Sequence, residues 1–291
     1  MLIMMGSRLE LALMDSLALD PALLACPDDS GRLEPYGDEL RCVECERHYC
    51  AANGVWGLLP RASLDAASPQ GQRLASYRAG YSDRRDRPWL HGFRVLSADL
   101  GNAYLYRWAR RAIEKFAAGR TLRILDAACG DAMLWRHIDR RHQYIGADFS
   151  ARPLSRAFHY HPAAYVRGDL NHLPFVSQTF DLVVTLQALQ YLDHPMLAVR
   201  EMARVLRPDG LLLATLPNDG CFKYRLQGVP PIQQHRFRRK EVMDLCGHEF
   251  TVRELEARGL WLPVPAIHVH LPGQYSERTG LSWTAICQHP A

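Results

Sequence analysis

The stretch Arg123-Ile124-Leu125-Asp126-Ala127-Ala128-Cys129-Gly130-Asp131-Ala132 decides how the rest of this chain is read. It starts as a run of apolar β-formers, closes on an acid and breaks into a turn of small residues. Met133 to Ile138 then continues as a helix-like segment. Small side chains let a backbone come close to a ligand and aim its N–H groups at it. One loop of this kind is a weak signal. It gains weight because a strand followed by an acid recurs downstream, at Asp148 and at Asp169.

From Thr121 onward, strand and helix patterns alternate. Strands are predicted over Arg123–Asp126, Tyr144–Asp148, Ala164–Arg167, Leu182–Leu186, Leu211–Leu216, about Thr251–Glu256 and Ser282–Gln288. Helices are predicted over Met133–Arg140, Pro153–His159, Pro195–Val205 and Arg239–Cys246. Short apolar strands alternating with helices imply a parallel sheet covered on both faces. No clear helix separates the last two strands, which predicts an antiparallel hairpin. Asp209-Gly210 reads as a turn directly before a buried strand.

Upstream, the pattern changes twice. Residues 1–21 read as a lead-in, a short helix or disordered. Residues 22–60 are rich in Cys, Gly, Pro and charge, with strand-like pieces at Glu39–Cys42 and Val55–Leu59. Residues 61–118 turn helical: Leu74, Tyr77 and Tyr81 recur at helical spacing within Gln72–Tyr81. Leu105, Trp108, Ala109, Ala112, Ile113 and Phe116 do so more clearly within Tyr104–Phe116, and the charged run Asp83–Pro88 between the two reads as a solvated loop. The fold class expected is therefore α/β. A doubly wound, mostly parallel seven-stranded sheet occupies 119–291, behind a helical connector and a small Cys-rich module.

With 291 residues and 48% hydrophobic content, the chain is long enough for one α/β domain plus an accessory unit. A formal charge of +4 is mild, and nucleic-acid-binding domains tend to be far more basic. Arg8, Glu10, Asp15 and Asp20 interrupt the N-terminal apolar patches, and no stretch approaches the roughly 20 apolar residues of a membrane span. The expectation is a soluble, cytoplasmic protein. Of eight cysteines, three fall between Cys42 and Cys50, and Cys26 lies shortly before. In a chain this large a metal site accounts for such a cluster better than a disulfide framework.

In a parallel sheet, ligands sit beyond the carboxyl ends of the strands. Asp126 closes the first strand, and Asp148 closes the second, about 20 residues past the glycine turn, where a carboxylate accepts from a ribose diol. Asp169 follows the third, near enough to reach an exocyclic amine. Any one of them could merely cap a turn; three in order are harder to dismiss.

These pieces, with Leu173-Pro174-Phe175, Thr179-Phe180-Asp181-Leu182-Val183-Val184 and Arg204-Val205-Leu206-Arg207-Pro208-Asp209-Gly210, make the segment from about 121 to 217 resemble the class I S-adenosylmethionine-dependent methyltransferases, especially the quinone-biosynthesis group. The resemblance implies that Ala128 and Gly130 pass near the methionyl part, with Asp126 fixing the loop from beneath. It implies Asp148 on the ribose hydroxyls and Phe149 packed on the adenine. Asp169 would meet the adenine amine beside the backbone of Leu170, and Leu186 and Gln187 would lie beside the sulfonium. Where the family pattern has glycine, this chain has Ala128 and Ala132, which a negative φ would accommodate. A dinucleotide-binding use of the loop is disfavoured because G-x-G-x-x-G is absent.

The Cys-rich segment Cys26-Pro27-Asp28-Asp29, Leu40-Arg41-Cys42-Val43-Glu44-Cys45 and Gly54-Val55-Trp56-Gly57-Leu58-Leu59-Pro60 resembles the zinc-ribbon module of the Trm112-like family and the ribbon of bacterial rRNA guanine methyltransferases. Tetrahedral zinc needs four ligands. The knuckle Cys42–Cys45 is intact, but Asp29 stands where the first knuckle needs its second thiolate. Asp29, Cys50 or His48 could complete the set, and a metal-free ribbon with buried thiols is the plainer alternative.

By this resemblance the chain is expected to move the methyl group of S-adenosylmethionine to a small aromatic or natural-product-like metabolite. An rRNA guanine methyltransferase-like enzyme and a non-catalytic cofactor-binding or partner-stabilising module stay open as alternatives. So does a homodimer. If the nucleophile carries a proton, Tyr191, His194 and His235 are the candidate bases. His235 lies in the basic run Gln233–Lys240, which should cross the cofactor-side rim after the fifth strand. RNA would need a basic track through Arg84, Arg85, Arg87, Arg236, Arg238 and Arg239. A metabolite would need an apolar chamber near Tyr77, Tyr81, Trp89 and Phe222–His235.

Overall fold

A computed structural model describes residues 19–65, 67, 72, 88–227, 235–264 and 267–291. The expected helix Gln72–Tyr81, the charged run before Pro88 and most of the lead-in lie outside these residues. Among the described residues, twelve strands are hydrogen-bonded in one order. The ribbon contributes β1 (Leu33–Tyr36), β2 (Glu39–Cys42), β3 (His48–Ala52) and β4 (Val55–Leu58). The main sheet follows with β5 (Arg123–Ala127), β6 (Gln143–Asp148), β7 (Ala164–Gly168), β8 (Phe180–Leu186) and β9 (Leu206–Pro217). Last come β10 (Thr251–Val264), β11 (Ile267–Tyr275) and β12 (Gly280–Gln288). Their order is β1-β2-β3-β4-β7-β6-β5-β8-β9-β12-β10-β11.

The seven expected strands are all present as the unbroken run β7-β6-β5-β8-β9-β12-β10. Pairing is parallel from β7 to β9, while β12 runs antiparallel to both β9 and β10. The count rises above seven at both edges. On one side β11 pairs antiparallel with β10. On the other, β4 runs parallel to β7, with Trp56, Gly57 and Leu58 opposite Val166, Arg167 and Gly168. The ribbon is therefore no detached module. An edge strand presents unpaired N–H and C=O groups, and β4 satisfies those of β7.

Alternation along the strands builds a core on each face. Leu125, Ala127, Ile145, Ala147 and Val183 point to one side. Ile124, Tyr144, Leu182 and Val184 point to the other, against Trp108, Ala109, Ile113 and Ala117. Those last residues belong to helix α2 (Pro88–Ala117), which follows the short α1 (Arg61–Leu64). Among the described residues, further helices are α3 (Ala151–Tyr160), α4 (Pro195–Val205), α5 (Phe222–Gln227) and α6 (Arg239–Gly247). Among the described residues no helix is long and apolar enough to cross a membrane.

Two local expectations change. The helix expected over Met133–Arg140 is a 3-10 turn, Met133–His137, and Ile138 is already extended. Ala132 enters that turn left-handed, and the Arg140 guanidinium takes the Ile138 carbonyl at 2.7 Å, so α-helical bonding is not extended. Asp209 is left-handed as a turn residue would be, but β9 runs through it, with a shift of register against β8.

Candidate functional site

The carboxyl ends of β5, β6 and β7 bring Asp126, Asp148 and Asp169 to one edge of the sheet, each under 9% exposed. Asp126 faces Gly146 across the β5–β6 register. A side chain at Gly146 would meet the Tyr165 ring at 2.7 Å and Cys129 Sγ at 2.9 Å, so only glycine lets the loop sit down on β6. The Tyr144 hydroxyl donates to Asp126 Oδ2 at 2.6 Å. Burial pushes the Asp126 carboxyl up to about 7, with the Tyr144 bond opposing and Asp148 adding to the rise. Asp126 therefore anchors the loop from inside the protein.

The loop departs from expectation in two ways. Ala128 and Ala132 both have positive φ, +70° and +55°, as does Gly130 at +55°. The alanines thus adopt the conformation they were expected to avoid, at a cost of about 1–2 kcal/mol each. Four of the loop N–H groups are also committed internally. Those of Ala128 and Cys129 donate to the Ala147 carbonyl, that of Ala132 to Cys129, and that of Gly130 to Asp148 Oδ2 at 2.9 Å. What the loop offers a ligand is its shape and the carboxylate it grips.

Asp148 is held from both sides, since Oδ1 accepts the Ser150 N–H at 2.8 Å. A carboxylate has about four acceptor positions, so lone pairs remain for a diol. Burial raises the Asp148 pKa, against the hydrogen bonds from Ser150 and Gly130. Phe149 is half-buried beside it. Asp169 accepts the Asn171 N–H on Oδ1 and the Ser63 hydroxyl on Oδ2, both at 2.9 Å, with Leu170 buried alongside. Ser63 was not legible as a site residue, because it is 106 positions away.

At the end of β8, Leu186 is half-buried and Gln187 is left-handed, φ +57°. Its side-chain amide donates to Thr215 Oγ1 and Ser282 Oγ, both at 3.2 Å. Tyr104 donates to the same Ser282 hydroxyl at 3.1 Å. Gln190 Nε2 donates to the Gln187 carbonyl at 2.9 Å, while Gln190 Oε1 is buried with no partner. Positive φ at Ala128 and Ala132, in the loop after β5, and at Gln187, just past β8, puts backbone strain beside the ends of two paired strands. Ser282, Tyr104 and Gln190 carried no signal in the sequence; they matter only through this convergence.

Of the three candidate bases, His235 and Tyr191 come to the same turn and His194 stands apart. The His235 N–H donates to the Gln190 carbonyl at 3.1 Å, so the segment after β9 does return over the end of β8, and His235 Nε2 is buried there without a partner. Tyr191 is half-buried in the same turn, near Tyr224. His194 is exposed at the head of α4 and lines a surface groove with Met196, Arg200 and Leu245. Burial pushes the Tyr104 hydroxyl up to about 12 and Tyr224 higher, so both serve as donors near neutral pH.

In the ribbon, the donor atoms of Cys26, Asp29, Cys42 and Cys45 lie within 4.8 Å of one another. Zinc–sulfur arms of about 2.3 Å in a tetrahedron set sulfurs about 3.8 Å apart, and a sulfur–oxygen edge at about 3.5 Å. Cys26 and Cys45 Sγ are 3.7 Å apart, and Cys42 Sγ is 3.5 Å from Asp29 Oδ1, so the donor set fits zinc. Burial raises the thiols of Cys26, Cys42 and Cys45. It acts likewise on Asp29, but the hydrogen bonds from Cys26 and Gly31 outweigh it and hold that carboxyl at about 2. Cys50 stands apart from this cluster. It sits opposite Glu39 in the β2–β3 register, exposed, and its thiol donates to Glu39 Oε1 at 3.0 Å, where His48 is also bound. Strand alternation turns it away from the face that Tyr49 buries.

The family model described as a methyltransferase domain matches residues 125–214. That stretch runs from β5 into β9 and carries Asp126, Asp148 and Asp169. A solved S-adenosylmethionine-dependent methyltransferase from Thermotoga maritima shares the fold, with TM-score 0.52 and 17% identity over 75% of this chain and 99% of that one. Malonyl-[acyl-carrier protein] O-methyltransferase of Enterobacter lignolyticus is 36% identical over 113 residues, 38% of this chain and 44% of that protein. An uncharacterised chloroplastic methyltransferase of Arabidopsis thaliana is 31% identical over 236 residues, 76% of this chain and 63% of its own length. The chain thus spans about half the length of the first of these relatives and under two thirds of the second.

Proposed function

We propose that this chain binds S-adenosylmethionine across the ends of β5–β8 and transfers its methyl group to a small metabolite. The observation that carries the reading is the ordered row Asp126, Asp148 and Asp169 at adjacent strand ends, beside the strained loop at Ala128–Ala132. In this reading Asp148 holds the ribose hydroxyls with Phe149 against the adenine. Asp169 takes the adenine amine beside Leu170. Ala128, Gly130, Leu186 and Gln187 border the methionyl and sulfonium end. The cofactor supplies an activated methyl group. The protein's part is to align the acceptor with it and exclude water, which accounts for much of the rate.

The acceptor stands over Gln187, where Gln190 Oε1 and His235 Nε2 are buried and unpaired. A hydroxylated aromatic or natural-product-like molecule suits these groups, with His235 placed to take its proton and Tyr191 beside it. Relatives named for quinones agree with a small acceptor. The basic run also argues against RNA. Arg236 and Arg238 are both paired with Asp219, at 3.1 and 3.3 Å, and Arg239 reaches Glu277 at 3.7 Å. In the ribbon, Cys26, Asp29, Cys42 and Cys45 would hold one structural zinc, which would take these thiols as thiolates and close the fold around them.

Calorimetric titration with S-adenosylhomocysteine tests the cofactor site. Methyl transfer from labelled S-adenosylmethionine to a panel of phenols, quinols and carboxylic acids tests the acceptor. No heat of binding would leave the non-catalytic alternative standing, and tight ribosomal-RNA binding with a steep salt dependence would replace the metabolite reading.

A further inference from the structure

The parallel pairing of β4 with β7 puts Leu58 opposite Gly168, so the chain leaving the ribbon arrives at the strand end that carries Asp169. Pro60 turns it into α1, where Ser63 is 0% exposed and donates its hydroxyl to Asp169 Oδ2 at 2.9 Å. The Asn171 N–H occupies the other oxygen, Oδ1. Each oxygen keeps a lone pair, and two anchors on one carboxylate leave it a single orientation in which to offer them.

Helix α1 is itself held from the ribbon. The Arg61 N–H donates to Asp28 Oδ1 at 2.7 Å, and Asp28 Oδ2 pairs with Arg47 at 2.6 Å. Asp28 sits between Cys26 and Asp29, two members of the ribbon's donor cluster. A continuous line of contacts therefore joins the knuckle loop, through Asp28, Arg61 and Ser63, to Asp169.

We infer that Ser63 is a positioning residue for recognition of the cofactor's base: it locks Asp169 toward the exocyclic amine, and the ribbon, through Asp28, holds Ser63 in place. The inference rests on the S-adenosylmethionine reading. It gives the ribbon a part in cofactor selectivity. Ser63 touches no cofactor atom in this account; it acts by removing the rotational freedom that Asp169 would otherwise lose on binding.

The test compares affinities for S-adenosylhomocysteine and for its deaminated inosyl analogue, whose carbonyl cannot donate to Asp169. Calorimetry is done on wild type, Ser63→Ala and Asp28→Ala. Wild type should prefer the amine. Ser63→Ala should narrow that preference about tenfold, the scale of one hydrogen bond to a charged group. Affinity for the inosyl analogue should hold within about twofold, which a general loss of structure would not allow. Asp28→Ala, remote from the pocket, should narrow the preference in the same direction by a smaller factor, and serves as the variant of record if Ser63→Ala does not fold. An unchanged preference in both variants, with wild type binding S-adenosylhomocysteine, would overturn this inference alone. Failure of wild type to bind S-adenosylhomocysteine would overturn the cofactor reading and this inference with it.

Discussion

Asp126 makes stability depend on pH in a direction opposite to that of an ordinary salt-bridged acid. Burial raises its carboxyl to about 7 in the folded protein, against roughly 3.9 in an unfolded chain. Between those values the folded state binds more protons than the unfolded one, so stability falls as pH rises. The gap corresponds to about 4 kcal/mol, fully present as a penalty above pH ~7 and absent below pH ~4. Asp126→Asn keeps the shape and leaves the Tyr144 hydroxyl an oxygen to donate to. It should therefore match wild type within about 1 kcal/mol at pH 4.5 and exceed it by about 2–4 kcal/mol at pH 8. Residual pH dependence is expected in the variant, because burial raises Asp148 as well. Urea unfolding at a series of pH values, on protein without cofactor, measures both curves. Equal destabilisation of Asp126→Asn at both pH values would refute the reasoning, since it would mean that the charge is not the source of the cost.

Three further outcomes follow from the same geometry. Ala128→Gly relieves a φ of +70° at the price of a more flexible unfolded chain and should melt within about 2 °C of wild type or above it, whereas Ala128→Val should lower stability by at least about 2 kcal/mol; equal melting of the two would argue against a left-handed residue here. Asp148→Ala should weaken S-adenosylhomocysteine binding at least tenfold, because the ribose acceptor and the bonds to Gly130 and Ser150 are lost together; unaltered affinity would remove Asp148 from the site. Protein purified without added metal should carry about one equivalent of zinc by elemental analysis, lost in Cys45→Ser and kept in Cys50→Ser; loss in Cys50→Ser would reverse the assignment of ligands.

Much of this was legible in the chain before any tertiary structure, and the reason is local. Short continuous apolar runs, closed by Asp126 and Asp148, mark buried strands whose ends are committed by spacing alone, and the knuckle Cys42–Cys45 needs no long-range information either. Ile267-His268-Val269-His270-Leu271 alternates as a strand should, so β11 was readable there and was missed. What only the tertiary structure decided are choices between local equals. Asp29 and Cys50 are both chemically able ligands, but strand register turns Cys50 toward Glu39, while the turn after Cys26 brings Asp29 to Cys42. An alanine says nothing of its own φ, and Ala128 and Ala132 are forced left-handed by the sheet and the loop bonds on either side. The ribbon's fusion to β7 and the Ser63–Asp169 bond depend on which strand edge was free to be covered, a property of the assembled sheet and of no segment within it.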